Sequence, residues 1–193
     1  QKIQKKPGDV ILMNTARLVH QKGHDTVIRS LAYLPQHVRL VLVGDGPDEE
    51  MLKALVKELN LETRVMFTGR VDRSQVTAYR KNADIFVGPS RSEGLGNAFL
   101  SAMASRLPVI STQEGGIAEF LFDATRNPDK ETTGWAVDKD HPEQIAEAVK
   151  TILGNPEEVK RVTEQARAMV LRSYDWDAIA KDMQQRVFHQ LWK

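Results

Sequence analysis

The sequence predicts an α/β fold: a doubly wound parallel sheet of about six strands, with helices on both faces and a helical C-terminal extension. Three observations carry this. Short, largely apolar runs such as Val38–Val43, interrupted only by Arg39, and Ile85–Val87 suit strands buried on both faces. These runs alternate with helical patterns, which calls for parallel pairing through crossover connections. Glycine-bearing loops follow the runs, and in such sheets ligands bind beyond the carboxyl ends of the strands, near a switch point.

In chain order, Val10–Asn14 is the first strand, Thr15–Gly23 its loop, and Asp25–Leu34 a helix with Val27, Ile28, Leu31 and Leu34 as its apolar positions. Val38–Val43 is the second strand, ended by Gly44-Asp45-Gly46-Pro47. Asp48–Leu59 follows as an amphipathic helix with Met51, Leu52, Leu55, Val56 and Leu59 on one face. Its acidic start complements the helix dipole. Val65–Thr68 is the third strand, Ser74–Lys81 a short helix and Ile85–Val87 the fourth strand. Gly88–Asn97 is a loop broken by Pro89, Gly94 and Gly96, and Ala98–Ser105 a helix of good helix formers. Val109–Ser111 is the fifth strand, Ile117–Phe122 a short helix, Asp123–Thr133 a polar loop and Trp135–Val137 the last strand. Helices over Pro142–Leu153, Pro156–Ser173 and Trp176–Trp192 close the chain, with Trp176 and Trp192 read as core packing.

Composition narrows the function. A chain of 193 residues fits one large domain. With 27 basic against 26 acidic residues, it lacks the basic excess of a nucleic-acid binder, so no nucleic-acid partner is expected. Cysteine is absent, which removes disulfides and Cys-based zinc sites. No apolar run reaches membrane-spanning length; a cytoplasmic location is the simplest expectation. Gln1–Pro7 lacks Met and reads as a linker, as if a preceding domain were missing. No GxGxxG follows the first strand and no GxxxxGK[ST] occurs, which disfavours a dinucleotide site and a P-loop. The acids Asp45, Asp48, Glu49 and Glu50 lack the order of a calcium loop, and the five histidines lack ligand spacing; no metal site is expected.

The informative stretch is Ile85–Gly116, a strand, glycine loop, helix, strand and second glycine loop. A glycine loop entering a helix exposes unpaired N–H groups that suit phosphate. Glu93, just before Gly94-Leu95-Gly96, would repel phosphate, so its expected partners are hydroxyls. Together they point to a sugar phosphate or sugar nucleotide; a plain tight turn with a solvated carboxylate is the competing reading. Arg17 and Lys22 flank the loop after the first strand. They read as a diphosphate clamp or as two solvated cations. Arg70 follows the third strand and either faces a base or phosphate or caps its loop.

TARLVHQKGHD, LVLVGDGP, VMFTGRV, ADIFVGPSRSEGLGNAFLSAMASRLPVISTQEGGIAEFL and TGWAVD together resemble the retaining glycosyltransferases of family four, in the right order over nearly the whole chain. The resemblance implies one Rossmann-like domain, residues 1–193, the C-terminal nucleotide-sugar-binding half of a GT-B enzyme. The N-terminal acceptor half would be missing, so the fragment is expected to be inactive alone. Any membrane association would run through that half. The implied function is transfer of a hexosyl group from a nucleotide-diphosphate sugar, with no cofactor and no metal required. Arg17 and Lys22 become the diphosphate clamp. The backbone around Thr68, Arg70 and Val71 lies near the base, and Gly44, in the loop after the second strand, is a further substrate-binding residue. Glu93 matches the first glutamate of the family's E-x7-E motif, which contacts donor-sugar hydroxyls. Gly94, Leu95, Gly96 and Asn97 match the loop against the sugar, and Ala98 and Phe99 the positions whose backbone meets phosphate. Two positions depart from the pattern. The second glutamate, which holds the ribose, falls at Ser101, and the usual glycine before Leu-Pro is Arg106. These departures motivate an alternative, a degenerate nucleotide-binding or interaction module without transfer activity. A flavodoxin-like domain, with sheet order starting 2-1-3, is a third reading.

Overall fold

The structure, a computed structural model, describes residues 5–188. Six parallel strands form one sheet in the order β3-β2-β1-β4-β5-β6: β1 Val10–Thr15, β2 Val38–Val43, β3 Val65–Phe67, β4 Ile85–Gly88, β5 Val109–Ser111 and β6 Trp135–Ala136. The helices are α1 His24–Ser30, α2 Glu49–Glu58, α3 Arg73–Asn82, α4 Asn97–Ala104, α5 Pro142–Gly154, α6 Pro156–Ser173 and α7 Trp176–Met183. This strand order excludes the flavodoxin-like arrangement. It puts the switch point between β1 and β4, which pair through Leu12–Ile85 and Met13–Phe86.

The apolar runs are unalternated because both faces of the sheet are covered. In β1, Leu12 packs with Leu40, Leu42, Ile85 and helix residues Ile28 and Leu52. Ile11 and Met13 face the other way, onto Val41, Val43 and Tyr79 of α3, as the two-residue period of a strand requires. A third cluster joins Phe86, Phe99, Met103 and Phe120 to Ala166, Met169 and Val170 of α6. Phe86 and Phe99 meet edge to face at 5.3 Å, an arrangement that contributes about 1 kcal/mol beyond simple burial. It fixes the first turn of α4 against the end of β4.

Element ends differ from the sequence reading where side chains or turns compete with the helix. The first helix stops at Ser30, whose hydroxyl donates to the Val27 carbonyl at 2.7 Å, and Leu31–Tyr33 continue as a 3-10 turn. The helix expected at Ile117–Phe122 is a 3-10 turn over Gly115–Glu119. Thr133 ends it by donating to the Phe120 carbonyl at 2.6 Å and accepting from the Phe122 N–H at 2.8 Å. α3 begins one residue early because Asp72 and Gln75 form a capping box. The expected Trp176–Trp192 helix is α7 followed by a π-type turn, Gln184–Phe188; Trp192 and the Trp176 side chain lie outside what is described. Among the described residues no helix is long and apolar enough to cross a membrane.

Candidate active site

The carboxyl ends of β1, β2 and β4 open onto two clefts that share Thr15, Ala16 and Arg17 as a common wall. The smaller, about 230 Å³, lies at the switch point and is lined by Asn14, Lys22, Ser90, Glu93, Gly96, Asn97, Ala98 and Phe99 beside the shared residues. The larger, about 760 Å³, is lined by Gly44, Asp45, Gly46, Pro47, Glu49, Arg70, Val71 and Val76.

Close backbone contacts hold the loops together. Gly23 adopts φ +66°, and a Cβ there would run into the Pro89 carbonyl; this brings the β1 loop against the β4 loop. The N–H of Arg91 donates to the Gln21 carbonyl at 2.8 Å. On the far side Gly116 donates its N–H to the Gly94 carbonyl at 2.8 Å. Gly96 enters α4 at φ +78°, a conformation that favours glycine.

Within the smaller cleft Lys22 Nζ donates to Glu93 Oε2 at 2.7 Å. Ser90 Oγ donates to the same oxygen at 3.3 Å, and the Gly94 N–H donates to Glu93 Oε1 at 3.1 Å. The carboxylate side chain is 12% exposed, so it is aimed rather than solvated. At the start of α4 the Phe99 N–H is already used, donating to the Gly96 carbonyl at 3.0 Å. That leaves the N–H groups of Asn97 and Ala98, without an acceptor among the described residues, as the anion-seeking end of the helix. Arg17 and Arg70 are exposed, and neither has a side-chain partner among the described residues. Both line the larger cleft, together with Asp45 and Glu49.

Buried and half-buried groups beneath the cleft set the loop geometry. His24, 2% exposed, shares a 3.2 Å hydrogen bond between Nε2 and the Arg17 carbonyl; burial pushes its pKa down, against the hydrogen bond to Arg17 and the charge of Asp25. Asn14 Nδ2 donates to the Val87 carbonyl at 2.6 Å, joining β1 to β4 at the floor. Arg91 forks onto Asp25 at 2.8 and 2.9 Å. Burial raises the Asp25 carboxyl, but the Arg91 hydrogen bond and charge outweigh it and the net shift is downward. Hydrogen bonding to Asp25 raises the Arg91 guanidinium in turn.

Of the residues singled out in the sequence, Arg17, Lys22, Glu93, Gly96, Asn97, Ala98 and Phe99 converge on the smaller cleft. Gly44, Arg70 and Val71 line the larger one. Four expected contacts line neither. Thr68 turns its hydroxyl onto the Gly69 carbonyl at 2.8 Å. Gly94 has its N–H taken by Glu93. Leu95 points outward at 44% exposure. Ser101 lies a turn down α4, its carbonyl accepting from Ser105 Oγ at 2.9 Å. Phe99 contributes its ring rather than a free N–H. The sequence reading missed Asn14, His24 and Arg91. Asn14 carried a signal, a polar residue closing an apolar strand; Arg91 carried none, since its partners lie 66 and 49 residues away. Among the described residues no group of three or more His, Cys, Asp or Glu side chains is placed to hold a metal ion.

The GDP-mannose-dependent α-(1-6)-phosphatidylinositol monomannoside mannosyltransferase of Mycobacterium tuberculosis is 32% identical over 175 residues, covering 86% of this chain and 44% of that protein. Sucrose-phosphate synthase from Thermosynechococcus elongatus superposes with TM-score 0.84 at 29% identity, over 97% of this chain and 46% of that one. Anabaena HepE in complex with UDP-glucose superposes with TM-score 0.83 at 21% identity, over 94% and 49%, a likeness of fold. The chain spans less than half the length of each of these three proteins. The family model for glycosyl transferases group 1 matches residues 1–169, and this chain belongs to that family.

Proposed function

We propose that this chain is the nucleotide-sugar-binding half of a retaining glycosyltransferase. The observation that carries the reading is one cleft wall that combines Lys22, the open N–H groups at the start of α4 and a hydrogen-bonded Glu93. The diphosphate sits over Asn97 and Ala98, gripped by Lys22 and by Arg17 from the shared wall. The base occupies the larger cleft near Gly44, Arg70 and Val71. Glu93 receives the sugar hydroxyls.

When the bond from the sugar carbon to the diphosphate oxygen breaks, its electron pair stays on that oxygen. Arg17, Lys22 and the helix start stabilise this charge without a metal. Glu93 orients the sugar and stabilises the positive charge that develops on it. The acceptor hydroxyl, held by a second domain, enters on the face the nucleotide leaves and gives its proton to the departing diphosphate oxygen, and the configuration is retained. A hexose fits the mannosyl-transferring relative, and its GDP-mannose makes GDP the first nucleotide to titrate.

Calorimetric titration of GDP, UDP and ADP into the chain tests the reading. One of them is expected to bind, with Arg17→Ala lowering its affinity about tenfold through loss of a charge-assisted hydrogen bond. No heat from any of the three at millimolar concentration overturns it. A degenerate binding module is favoured by one observation, Ser101 in place of a ribose-holding carboxylate. It predicts nucleotide binding with no transfer when the chain is joined to an acceptor domain.

A further inference from the structure

Resting on the donor-binding reading, we propose that Arg91 is the positioning residue of the phosphate clamp: it locks the β4 loop onto the β1 loop so that Lys22 and Glu93 face the start of α4. Arg91 lines neither cleft. Its side chain is 14% exposed and turns under the loops. Nε donates to Asp140 Oδ1 at 2.7 Å. Nη1 donates to the His20 carbonyl at 2.7 Å and to Asp25 Oδ1 at 2.9 Å. Nη2 donates to Asp25 Oδ2 at 2.8 Å and to Thr26 Oγ1 at 3.3 Å.

These contacts bracket Lys22. His20 and Gln21 precede it, Asp25 and Thr26 follow it, and all four are held by residue 91 through side chain or backbone. Glu93 stands two residues further along the gripping loop. The 2.7 Å approach of Lys22 to Glu93 is therefore fixed from behind, by a group that never touches the ligand. Asp140, on the connection from β6 to α5, adds a third segment to the lock. It adopts φ +61°, a conformation Asp tolerates better than most residues.

Arginine suits this task. It keeps its charge, and its planar fork satisfies a carboxylate in two places while its remaining N–H groups reach a carbonyl and a second carboxylate. Lysine offers the charge without the fork. A partly exposed ion network of this kind contributes little to global stability. A phosphate site, in contrast, depends on donors fixed before the ligand arrives.

The test compares the wild-type chain with Arg91→Lys and Asp25→Asn. GDP and UDP are titrated against GMP and UMP, with melting temperature and amide exchange measured on each variant. Both substitutions are expected to weaken the bound diphosphate about tenfold, since misplacing positioned groups is costly, and the monophosphate by less than about twofold. Exchange at the backbone of residues 18–23 rises in the free chain. Equal weakening of diphosphate and monophosphate, or unchanged diphosphate affinity in Arg91→Lys, overturns the proposal while leaving the donor-binding reading intact. A wild-type chain that binds no diphosphate overturns that reading and this one with it.

Discussion

Lys22 Nζ lies 2.7 Å from Glu93 Oε2, so the cation proposed to grip phosphate is engaged by the carboxylate proposed to take the sugar hydroxyls. A diphosphate entering the cleft competes with Glu93 for Lys22 and meets its negative charge. Glu93→Gln removes both obstacles. It is expected to tighten GDP or UDP binding about threefold or more, consistent with the loss of a like charge at close range. It also narrows the preference for the nucleotide sugar over the free diphosphate. Lys22→Ala acts in the opposite direction, weakening the diphosphate about tenfold. Calorimetry on both variants decides the point: if Glu93→Gln weakens the diphosphate as Lys22→Ala does, Glu93 is not opposing the phosphate.

His24 makes stability depend on pH. Burial lowers its pKa in the folded chain below the ordinary value of 6.5, so the unfolded chain binds a proton more readily. The neutral folded form is fully stable above pH 6.5, and stability falls as pH drops below that value. The slope is at most about 1.4 kcal/mol per pH unit for one proton. Urea denaturation between pH 7.5 and 5 is expected to show this loss, and His24→Gln to flatten it. Because the Nε2 contact is to the Arg17 carbonyl, His24→Gln also loosens the loop that carries Arg17. An identical pH profile in both chains would rule out His24 as the titrating group.

The fold was legible because burial on both faces writes itself into the chain as apolar runs without strict alternation. β1, β2 and β4 fall where Val10–Asn14, Val38–Val43 and Ile85–Val87 predict them. Loop residues at the strand ends were legible too, since topology alone brings Arg17, Lys22, Glu93 and Gly96 to one sheet edge. What was not legible depends on side-chain direction. Thr68 sits at the expected strand end yet bonds its own neighbour's carbonyl. Leu95, between two glycines, faces solvent. Arg91 reads as a surface cation until the loops meet, because every partner it holds is far away in sequence.

Arg106 adopts φ +59° at the end of α4. Its N–H donates to the Met103 carbonyl at 3.0 Å, and Leu107 donates to the Ala102 carbonyl at 3.1 Å, the Schellman pattern in which glycine is favoured. A non-glycine residue there costs about 1 kcal/mol. The Arg106–Glu164 ion pair, at 2.6 Å with both side chains half exposed, returns only part of that. Arg106→Gly is therefore expected to stabilise the chain by somewhat under about 1 kcal/mol, read as a higher melting temperature. A lower melting temperature would mean the ion pair outweighs the backbone strain.

Ser101 follows Asn97 by four residues and Ala98 by three, so it shares their face of α4. Helical side chains lean toward the N-terminal turn. A longer acidic side chain at this position would reach back along that face toward the cleft, which the serine does not line. Ser101→Glu supplies the carboxylate that the resemblance to family four implies here for the ribose. A carboxylate accepting from two adjacent hydroxyls is stronger than a neutral contact, so the variant is expected to favour GDP over 2′-deoxy-GDP by about five- to tenfold. The wild-type chain should separate the two by less than about twofold, for want of that contact. If instead the unaltered chain already discriminates strongly, the ribose is held from the larger cleft, and Asp45 or Glu49, which line it, becomes the residue to replace next.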